Sequence, residues 1–504
     1  YKRETMNAIL IDQKNASSIG DGISADVIKT TPAKTTSDVL KKVSGASIQD
    51  NKFAIIRGLN DRYNAAFING APLPSSEADR KAFSFDIFPS NLIDNMVITK
   101  TATPDMPGEF AGGIIQISTK DIPDKNFYTL SLGSSVHSLT TFQPWMKSQG
   151  GKYDFLGLDD GTRAIPSAFP GSDQFSSLPR RQRQAYSSLF KNTFGPIEVA
   201  SAAPNTNFQF TMGQKTKLFG KDFGSIFALT YNNSYRRTPA LRQDFAGDDK
   251  VFEFNDEQYS RNVLWGALWN LSYKLNNNNK ISFRNMFNVN TEDQVTVREG
   301  QDIAASGLDR KAYAIFYNQN LLYTGQLIGE HLFEKAKNLK VKWVLGYSDI
   351  TRDIPDFRRL RYNRVPSANN ENPYIAFLTT NASPNDAGRF YSNLDESVYS
   401  GSVDFSLPLD IKGKKSTLKF GYYYQSRVRD FNVRVLGNVI NSTTYFNPDL
   451  LRLGIGDIFN PTNFMDSTGF SIAESTNKSD SYDASSSLNS GYAMLDMKLT
   501  VRLR

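Results

Sequence analysis

The chain of 504 residues contains no cysteine, so disulfide bonds, thiolate metal sites and cysteine nucleophiles are excluded. Long apolar runs are missing too, because no segment approaches the ~20 apolar residues that a membrane-spanning helix needs. A helical membrane protein is therefore excluded. The segment that begins at Tyr1 lacks the charged start, apolar stretch and cleavage site of a signal peptide, so no such signal is expected in it.

Residues that support catalysis are scarce. The two histidines, His137 and His331, lie far apart in strand-like sequence, so neither a serine–histidine–aspartate site nor a histidine-rich metal site is predicted. The glycines of "IGDGISADV" lack both the lysine of a phosphate loop and the spacing of a dinucleotide-binding motif. Asp159 and Asp160 lie in a long polar stretch, where solvation explains them. We expect no enzyme activity, no metal and no cofactor.

Clustered positive charge is also absent. Lysine and arginine number 58 and aspartate and glutamate 51, which gives a net charge of +7, but the basic residues form no tract. A nucleic-acid partner is therefore not expected.

After residue 125, apolar and polar residues alternate along much of the sequence. Aromatic residues are also abundant, at 12% of the chain. In "VLWGALWNLSYKL", one face carries Trp265 and Trp269, while Asn270 and Ser272 lie on the other. The stretches "LKVKWVLGY" and "AMLDMKLTVRL" repeat this pattern. The predicted lipid-facing residues are Trp265, Trp269, Val341, Trp343, Leu345, Leu495 and Leu499.

The lengths of the connections between the predicted strands indicate how the strands are arranged. The even-numbered connections are the tight turns "LFGKD", "NNNN", "EKAKN" and "DIKGK", and the odd-numbered ones are predicted to be long, polar loops. This arrangement is typical of a transmembrane antiparallel β-barrel, whereas a large soluble all-β protein is the alternative. The ten strands are predicted near residues 126–137, 206–217, 222–237, 259–275, 280–292, 320–334, 339–351, 396–409, 415–436 and 488–504.

In such a barrel, the alternation of short and long connections predicts on which side of the membrane each connection lies. Residues 276–279 and 334–338 are predicted on the periplasmic side, and residues 138–205 and 352–395 outside the cell. Since ten strands make a narrow barrel, we expect this chain to be part of a longer one.

The first 124 residues have mixed helical and strand signals, which predict a small α+β domain. Ser24 is a predicted helix N-cap, and a second helix is predicted from an N-cap at Thr36 or Ser37 to a C-cap at Gly45. Asn69-Gly70 predicts a tight turn. In "GEFAGGIIQISTK", Gly112 and Gly113 are expected to let backbones pack closely before the last strand of the domain.

Three motifs of this domain occur in the order and spacing of a known family. They are "IRG" at residues 56–58, "NG" at Asn69-Gly70 and the closing "GGIIQISTK". Residues 1–124 resemble the plug domain of TonB-dependent outer-membrane receptors, and residues 125–504 resemble the family's barrel in pattern only. The resemblance implies a plug followed by about ten strands of a 22-stranded barrel.

The resemblance also implies a lock between plug and barrel. In similar receptors an arginine of the "IRG" motif pairs with barrel glutamates, which points to Arg57. A second basic residue of the plug is often the arginine of an Arg-Gly pair, but here "TKTATP" offers Lys100. The same family presents plug loops outward to ligand. The corresponding residues are Asn60, Asp61, Arg62, Tyr63 and Asn64, followed by Pro74 and Ser75 in a second loop.

The function that the resemblance implies is TonB-dependent uptake of a scarce or bulky nutrient, such as a ferric siderophore or an oligosaccharide. The implied location is the outer membrane of a Gram-negative bacterium. The implied partners are TonB with its inner-membrane complex, outer-membrane lipids and a small-molecule or oligomeric ligand. The alternatives are a plugged receptor or adhesin that transports nothing, and a barrel capped by a surface lipoprotein. No TonB box is identifiable near Tyr1.

Overall fold

A computed structural model of the protein describes residues 6–16, 18–33, 35–49, 52–77, 82–87, 89–108, 110–119, 123, 125–305, 307–367, 369, 371–411, 413–465 and 467–497. None of its helices combines the length and the apolar character needed to cross a membrane, as far as these residues go.

In the described residues, the N-terminal domain has three helices and seven strands. The elements are α1 (Met6–Asn15), β1 (Gly20–Ser24), α2 (Ala25–Thr30), α3 (Thr36–Leu40), β2 (Ala46–Gln49), β3 (Phe53–Ile56), β4 (Asn64–Ile68), β5 (Ala71–Pro72), β6 (Ile93–Thr99) and β7 (Gly113–Thr119), with 3-10 turns at Asp61–Tyr63, Phe85–Ile87 and Ser90–Leu92. Five strands form one sheet in the order β1-β6-β7-β4-β5, in which β4 and β7 are parallel, while β2 and β3 form a separate pair.

Local sequence explains where these elements begin and turn. Ser24 precedes α2 as predicted, but the N-cap of α3 is Thr35 rather than Thr36 or Ser37. Thr35 is the better cap because its hydroxyl accepts from the Asp38 amide while the Asp38 carboxylate accepts from the Thr35 amide. Asn69 and Gly70 form the predicted turn, with φ of 51° and 94°.

The adjacent Gly112 and Gly113 are required by packing inside this domain. A Cβ atom on Gly112 would lie 2.2 Å from the Asn64 side chain, and one on Gly113 would lie 3.1 Å from Ile56. The close approach predicted for these glycines is thus to β3 and β4.

The rest of the chain builds a large antiparallel sheet of twelve strands and a small two-stranded one. In the described residues β8 pairs only with β11, and β21 only with β19, so the large sheet is not closed. The elements are β8 (Phe127–Ser135), β9 (Trp145–Lys147), α4 (Ser172–Ser177), α5 (Arg180–Ser187), β10 (Ile197–Val199), β11 (Asn205–Leu218), β12 (Lys221–Ala246), β13 (Asp249–Asn276), β14 (Asn279–Asp302), β15 (Leu308–Phe333), β16 (Leu339–Arg364), β17 (Ile375–Ala376), β18 (Gly388–Ile411), β19 (Lys414–Ile440), β20 (Phe470–Glu474) and β21 (Tyr482–Met497). Short 3-10 turns lie at Asp154–Leu156, Glu334–Ala336, Pro448–Arg452, Pro461–Asn463 and Lys478–Asp480.

All ten strands predicted from alternation are present, but the prediction that the third and fifth connections are long loops is wrong. β12 and β13 pair as far as Ala246 and Asp249, so only two residues join them, and β14 and β15 pair as far as Asp302 and Leu308. At ~3.3 Å per residue, a 26-residue strand such as β12 is about 85 Å long. These extended parts carry many polar residues, and such polarity alone does not distinguish a paired strand from a loop.

One face of the large sheet contacts the N-terminal domain and is called the lumen face here, and the opposite one the outer face. The outer face carries an exposed apolar belt towards the short turns. Phe283, Leu327 and Leu345 are paired across three strands and are 45%, 36% and 54% exposed. Trp269 and Leu495 belong to the same face at 53% and 52%. The predicted Leu499 lies outside the described residues.

Towards the other end, three long connections pack against the outer face, and the end of the second one also contacts the lumen face through Asn385 and Asp386. We call residues 138–204, 365–387 and 441–481 the outer-loop layer. Trp145 packs edge-on against Tyr235 and Tyr259 at 5.4 and 5.3 Å between ring centroids. A second apolar cluster joins Phe175 and Phe470 of the layer to Leu360, Tyr391 and Leu436 of the strands.

This layer corrects the prediction for Trp265. Its side chain does lie on the outer face, but its indole N–H donates to the Leu156 carbonyl at 2.7 Å. Trp265 is therefore anchored to the outer-loop layer, whereas Trp269, four residues closer to the short turns on the same face, is exposed.

Candidate functional site at the domain interface

The N-terminal domain and the large sheet share one hydrophobic core. Ile56, Ile68, Met96 and Ile115 of the domain belong to the same buried cluster as residues from the lumen face. Alternation places these residues of the sheet on a single face. They are Ile226, Ala228, Leu268, Met286, Leu322 and Ile350.

A buried carboxylate above this core holds the loop after β5. Glu396 of β18 is fully buried, and its Oε1 accepts a hydrogen bond from the Ser75 amide at 2.7 Å. Its Oε2 accepts from Arg429 Nε at 2.6 Å, and Arg427 lies 3.6 Å from Oε1. Glu396 and Arg429 are cross-strand partners in β18 and β19, so the sheet itself positions the ion pair.

Two arginines of the sheet also bind the loop after β5. Arg352 Nη1 donates to Glu77 Oε2 at 2.7 Å and to the Ser76 carbonyl at 3.1 Å. Arg429 Nη1 donates to the Glu77 carbonyl at 2.8 Å. We call Arg352, Glu396 and Arg429 the clamp. The clamp supplies both an acceptor for a backbone N–H and donors for a carboxylate, so its charges are compensated although they are largely shielded from water.

The Asn69-Gly70 turn makes a second contact with the sheet. Asn69 Oδ1 accepts from Arg284 Nη1 at 2.7 Å and from the Thr119 amide at 2.9 Å. Asn69 Nδ2 donates to Gln326 Oε1 at 3.0 Å. Because Arg284 and Gln326 lie near the short turns, this turn marks the end of the domain that faces them.

A third contact lies in the loop between β6 and β7. Lys419 Nζ lies 3.0 Å from Asp105 Oδ2. Burial alone would raise the pKa of Asp105, but hydrogen bonds from Thr103 and Lys419 and the Lys419 charge hold it below its usual value. The carboxylate therefore stays ionised and paired.

Next to these contacts, a cavity of about 720 Å³ separates domain and sheet. Asn69, Asp94 and Met106 line it from the domain, and Arg284, Lys342 and Tyr423 from the sheet. Polar groups of both signs surround it, so a hydrated solute fits its chemistry.

The structure places the predicted lock residues inside the N-terminal domain. Arg57 has φ of 56°, is exposed, and donates from Nη1 to the Lys100 carbonyl at 2.6 Å. Among the described residues it makes no ion pair with the sheet. Lys100 pairs with Asp21 and donates to the Ser44 carbonyl at 2.8 Å, so its charge is already satisfied within the domain. A pairing of Arg57 with the wall stays a prediction.

The residues of the first predicted loop divide into two groups. Arg62 and Tyr63 are exposed, and Arg62 lies 4.8 Å from the Tyr63 ring centroid. The side chain of Asn60 accepts from the Asp61 amide, Asp61 is buried, and Asn64 donates to the Ala54 carbonyl at 2.8 Å. Arg62 and Tyr63 are thus open to a ligand, and the other three shape the turn.

The second predicted loop requires a correction. Pro74 and Ser75 are buried, and the Ser75 hydroxyl accepts from the Ala82 amide at 3.0 Å while its own amide is held by Glu396. This loop faces the sheet because its backbone groups match the clamp, so these two residues are covered by the barrel wall in this structure.

The clamp was missed by the sequence interpretation, although a signal was present. In "YYYQSRVRDF", Arg427 and Arg429 occupy alternate positions on the face opposite Tyr424 and Val428. Two arginines on the polar face of a strand with an apolar reverse need buried partners or water. Their acidic partner Glu396 could not be found without the register of β18 and β19.

The match to a known protein family covers the N-terminal domain. Residues 12–114 match the family described as TonB-dependent Receptor Plug Domain. No curated protein sequence matches the chain.

Several solved structures are similar at low identity. The unliganded ferric citrate transporter FecA has 12% identity and a TM-score of 0.37, with 85% of this chain and 62% of FecA covered. The siderophore receptor PiuA of Acinetobacter baumannii has 12% identity, coverage of 84% and 62%, and a TM-score of 0.35. BauA of Acinetobacter baumannii, the ferric preacinetobactin receptor, has 11% identity, coverage of 84% and 61%, and a TM-score of 0.36. The chain spans less than two thirds of the length of each.

Proposed function

We propose that this chain, a TonB-dependent receptor with its plug domain followed by barrel strands, takes up a scarce or bulky nutrient across the outer membrane of a Gram-negative bacterium. The uptake depends on TonB and its inner-membrane complex. The plug closes the lumen at rest, and energised movement of the plug opens a path.

The observation that carries this proposal is the extent of the contact between plug and wall. The plug contacts seven neighbouring barrel strands on one face, from β12 to β19. The contacting residues of the wall are Ile226, Asn270, Arg284, Gln326, Arg352, Glu396 and Arg429. A domain seated across so many strands obstructs passage along the lumen face.

The nature of the contacts supports a movable plug. The clamp binds Ser75, Ser76 and Glu77 through polar groups, which water can replace when the interface opens. The shared apolar core resists that opening, since its exposure costs about 25 cal/mol per Å². An external energy source is therefore needed, and TonB supplies it in this family.

A single-cysteine experiment tests energised opening without knowledge of the ligand. The chain has no cysteine of its own, and Ser75 is 3% exposed. In energised cells in rich medium, Ser75→Cys should react with fluorescein maleimide when TonB is present and stay unreactive when TonB is deleted. Tyr153→Cys, at a position 53% exposed in the outer-loop layer, should react in both strains.

Equal labelling of Ser75→Cys with and without TonB, against an unchanged Tyr153→Cys signal, would contradict energised opening. It would favour a receptor or adhesin that transports nothing.

A further inference from the structure

Beyond the plug, the lumen face of the barrel strands carries a group of arginines. Met286 and Leu322 define this face on β14 and β15, which pair without a register shift, so Arg298 and Arg310 share it. On β16 the face changes parity at the irregularity between Ile354 and Phe357. Arg359 and Arg361 pair there with Ala314 and Ala312, and so they also face the lumen. We call Arg298, Arg310, Arg359 and Arg361 the arginine row.

The floor between these arginines consists of small residues. Arg298 pairs with Ala312, and Ala312 pairs with Arg361, so the two arginines lie in one cross-strand line. Since neighbouring strands are ~4.8 Å apart, their backbones are about 10 Å apart. Ala314 lies beside Arg359 in the next line. No large side chain of the floor covers the guanidinium groups.

Phenylalanine rings contact all four of these guanidinium groups, and Arg310 lies 5.6 Å from the centroid of Phe254. Arg298 lies 4.9 Å from the centroid of Phe254. Arg359 lies 4.3 Å from that of Phe357, and Arg361 lies 4.2 Å from that of Phe377. Stacking on a ring fixes the plane of a guanidinium and leaves its N–H edges free for planar oxyanions.

Positive charge exceeds negative charge in this group. Arg298 and Arg242 share Asp256, Arg310 pairs with Asp302, and Arg361 with Asp386. Arg359 donates to the side-chain oxygen of Asn385 and has no carboxylate partner among the described residues.

We infer that the arginine row is a binding site for a ligand that carries several carboxylates, held by bidentate contacts to at least Arg359 and one neighbour. This inference rests on the proposed function, because it names the chemical class of the solute that enters the lumen. Two sources have this chemistry, an acidic oligosaccharide and a polycarboxylate chelate of iron(III).

Binding to the purified receptor in detergent tests the inference. The probes are tetragalacturonate, iron(III) citrate and the neutral maltotetraose, measured by isothermal titration calorimetry. We expect at least one anionic probe to bind, with an affinity that falls as ionic strength rises, and maltotetraose to bind at least tenfold more weakly. Preference for tetragalacturonate identifies an acidic sugar, and preference for iron(III) citrate identifies a chelate.

Both variants lie on β16, five residues apart and on opposite faces. Arg359→Gln should weaken binding of the preferred anion about tenfold or more. The control is Arg364→Gln, which removes an ion-paired arginine from the opposite face, where Arg364 binds Asp309 at 2.7 Å. It should leave the affinity unchanged.

The inference is overturned if maltotetraose binds as tightly as the anions, if no anion binds, or if Arg359→Gln and Arg364→Gln behave alike. These outcomes are independent of the labelling of Ser75→Cys, which reports plug movement. Failure of one proposal is therefore distinguishable from failure of the other.

Discussion

The long barrel strands have two halves that follow the same alternation and bury opposite faces. In the half near the short turns, the lumen face is covered by the plug, and the outer face exposes Leu345 and Trp269. In the half near the long connections, the outer face is covered by the outer-loop layer, and the lumen face carries the arginine row. The difference between the halves lies in what covers each face.

This comparison teaches that an apolar outer position has two meanings. Near the short turns it belongs to an exposed apolar belt, which the proposed function assigns to lipid, because outer-membrane barrels carry an apolar band about 25 Å tall. Near the long connections it indicates a soluble-type core, since Tyr391 and Leu436 pack against phenylalanines of the layer. The two cases differ only in the distance of the residue from the short turns, measured along the strand.

The largest effect is expected at the lumen face of the lower half, for Glu396→Ala. The change would leave Arg429 and Arg427 without their shared carboxylate and the Ser75 amide without its acceptor. We expect a loss of about 3–5 kcal/mol in the anchoring of the plug. Hydrogen exchange of the peptide that covers residues 71–77 measures it.

The control is Asp395→Ala. Asp395 directly precedes Glu396 and lies on the exposed outer face, where its carboxylate accepts from the Thr351 hydroxyl at 2.8 Å. It should leave exchange at residues 71–77 unchanged. Faster exchange in both variants would mean that the two faces of β18 do not differ as described.

A somewhat smaller effect is expected at the outer face of the lower half. Leu345→Arg should lower the free energy of unfolding in lipid vesicles by about 2–4 kcal/mol, because a charge at mid-membrane loses its water. Lys342→Arg, on the lumen face of the same strand, should change it far less. Equal losses would show that the exposed belt does not face lipid.

The smallest effect concerns the upper half, where the change removes one of several hydrogen bonds between strand and layer. Trp265→Phe removes the donor to the Leu156 carbonyl, and we expect a loss of about 1 kcal/mol in local stability. Limited proteolysis of residues 138–204 should become faster. Trp269→Phe, whose indole donates only to Ser225 within the barrel, should not change that rate.

If Trp269→Phe accelerates cleavage as much as Trp265→Phe, then the boundary between lipid belt and outer-loop layer does not fall between these two tryptophans.

Much of the fold could be predicted because alternation and turn chemistry are local. Two-residue periodicity identified ten strands, and Asn69-Gly70 identified the turn, since both depend on residues close in sequence. The extended hairpin of β12 and β13 could not be predicted, because alternation between a polar face and a weakly apolar one does not distinguish a paired strand from a loop.

The contacts between plug and wall were harder to predict from the sequence than the strands and turns. The "IRG" motif predicts that Arg57 reaches the wall, and this stays a prediction, since Arg57 donates to the Lys100 carbonyl within the domain. In the contacts that the structure does show, the wall supplies the arginines, and the plug supplies Glu77 and backbone groups. Such contacts leave no trace in a local pattern, because an ion pair depends on which strand lies opposite.

The sequence by itself determined the class of this protein: strands with one apolar and one polar face, tight turns at one end, and a small domain with the motifs of a plug. These features follow from interactions between residues a few positions apart. The tertiary structure decided which apolar residues are exposed on the outer face and which meet plug or loops, and it brought Glu396 to Ser75 and Arg359 to the arginine row. Those choices depend on strand register and on long connections that return to the sheet, which act between residues far apart in the chain.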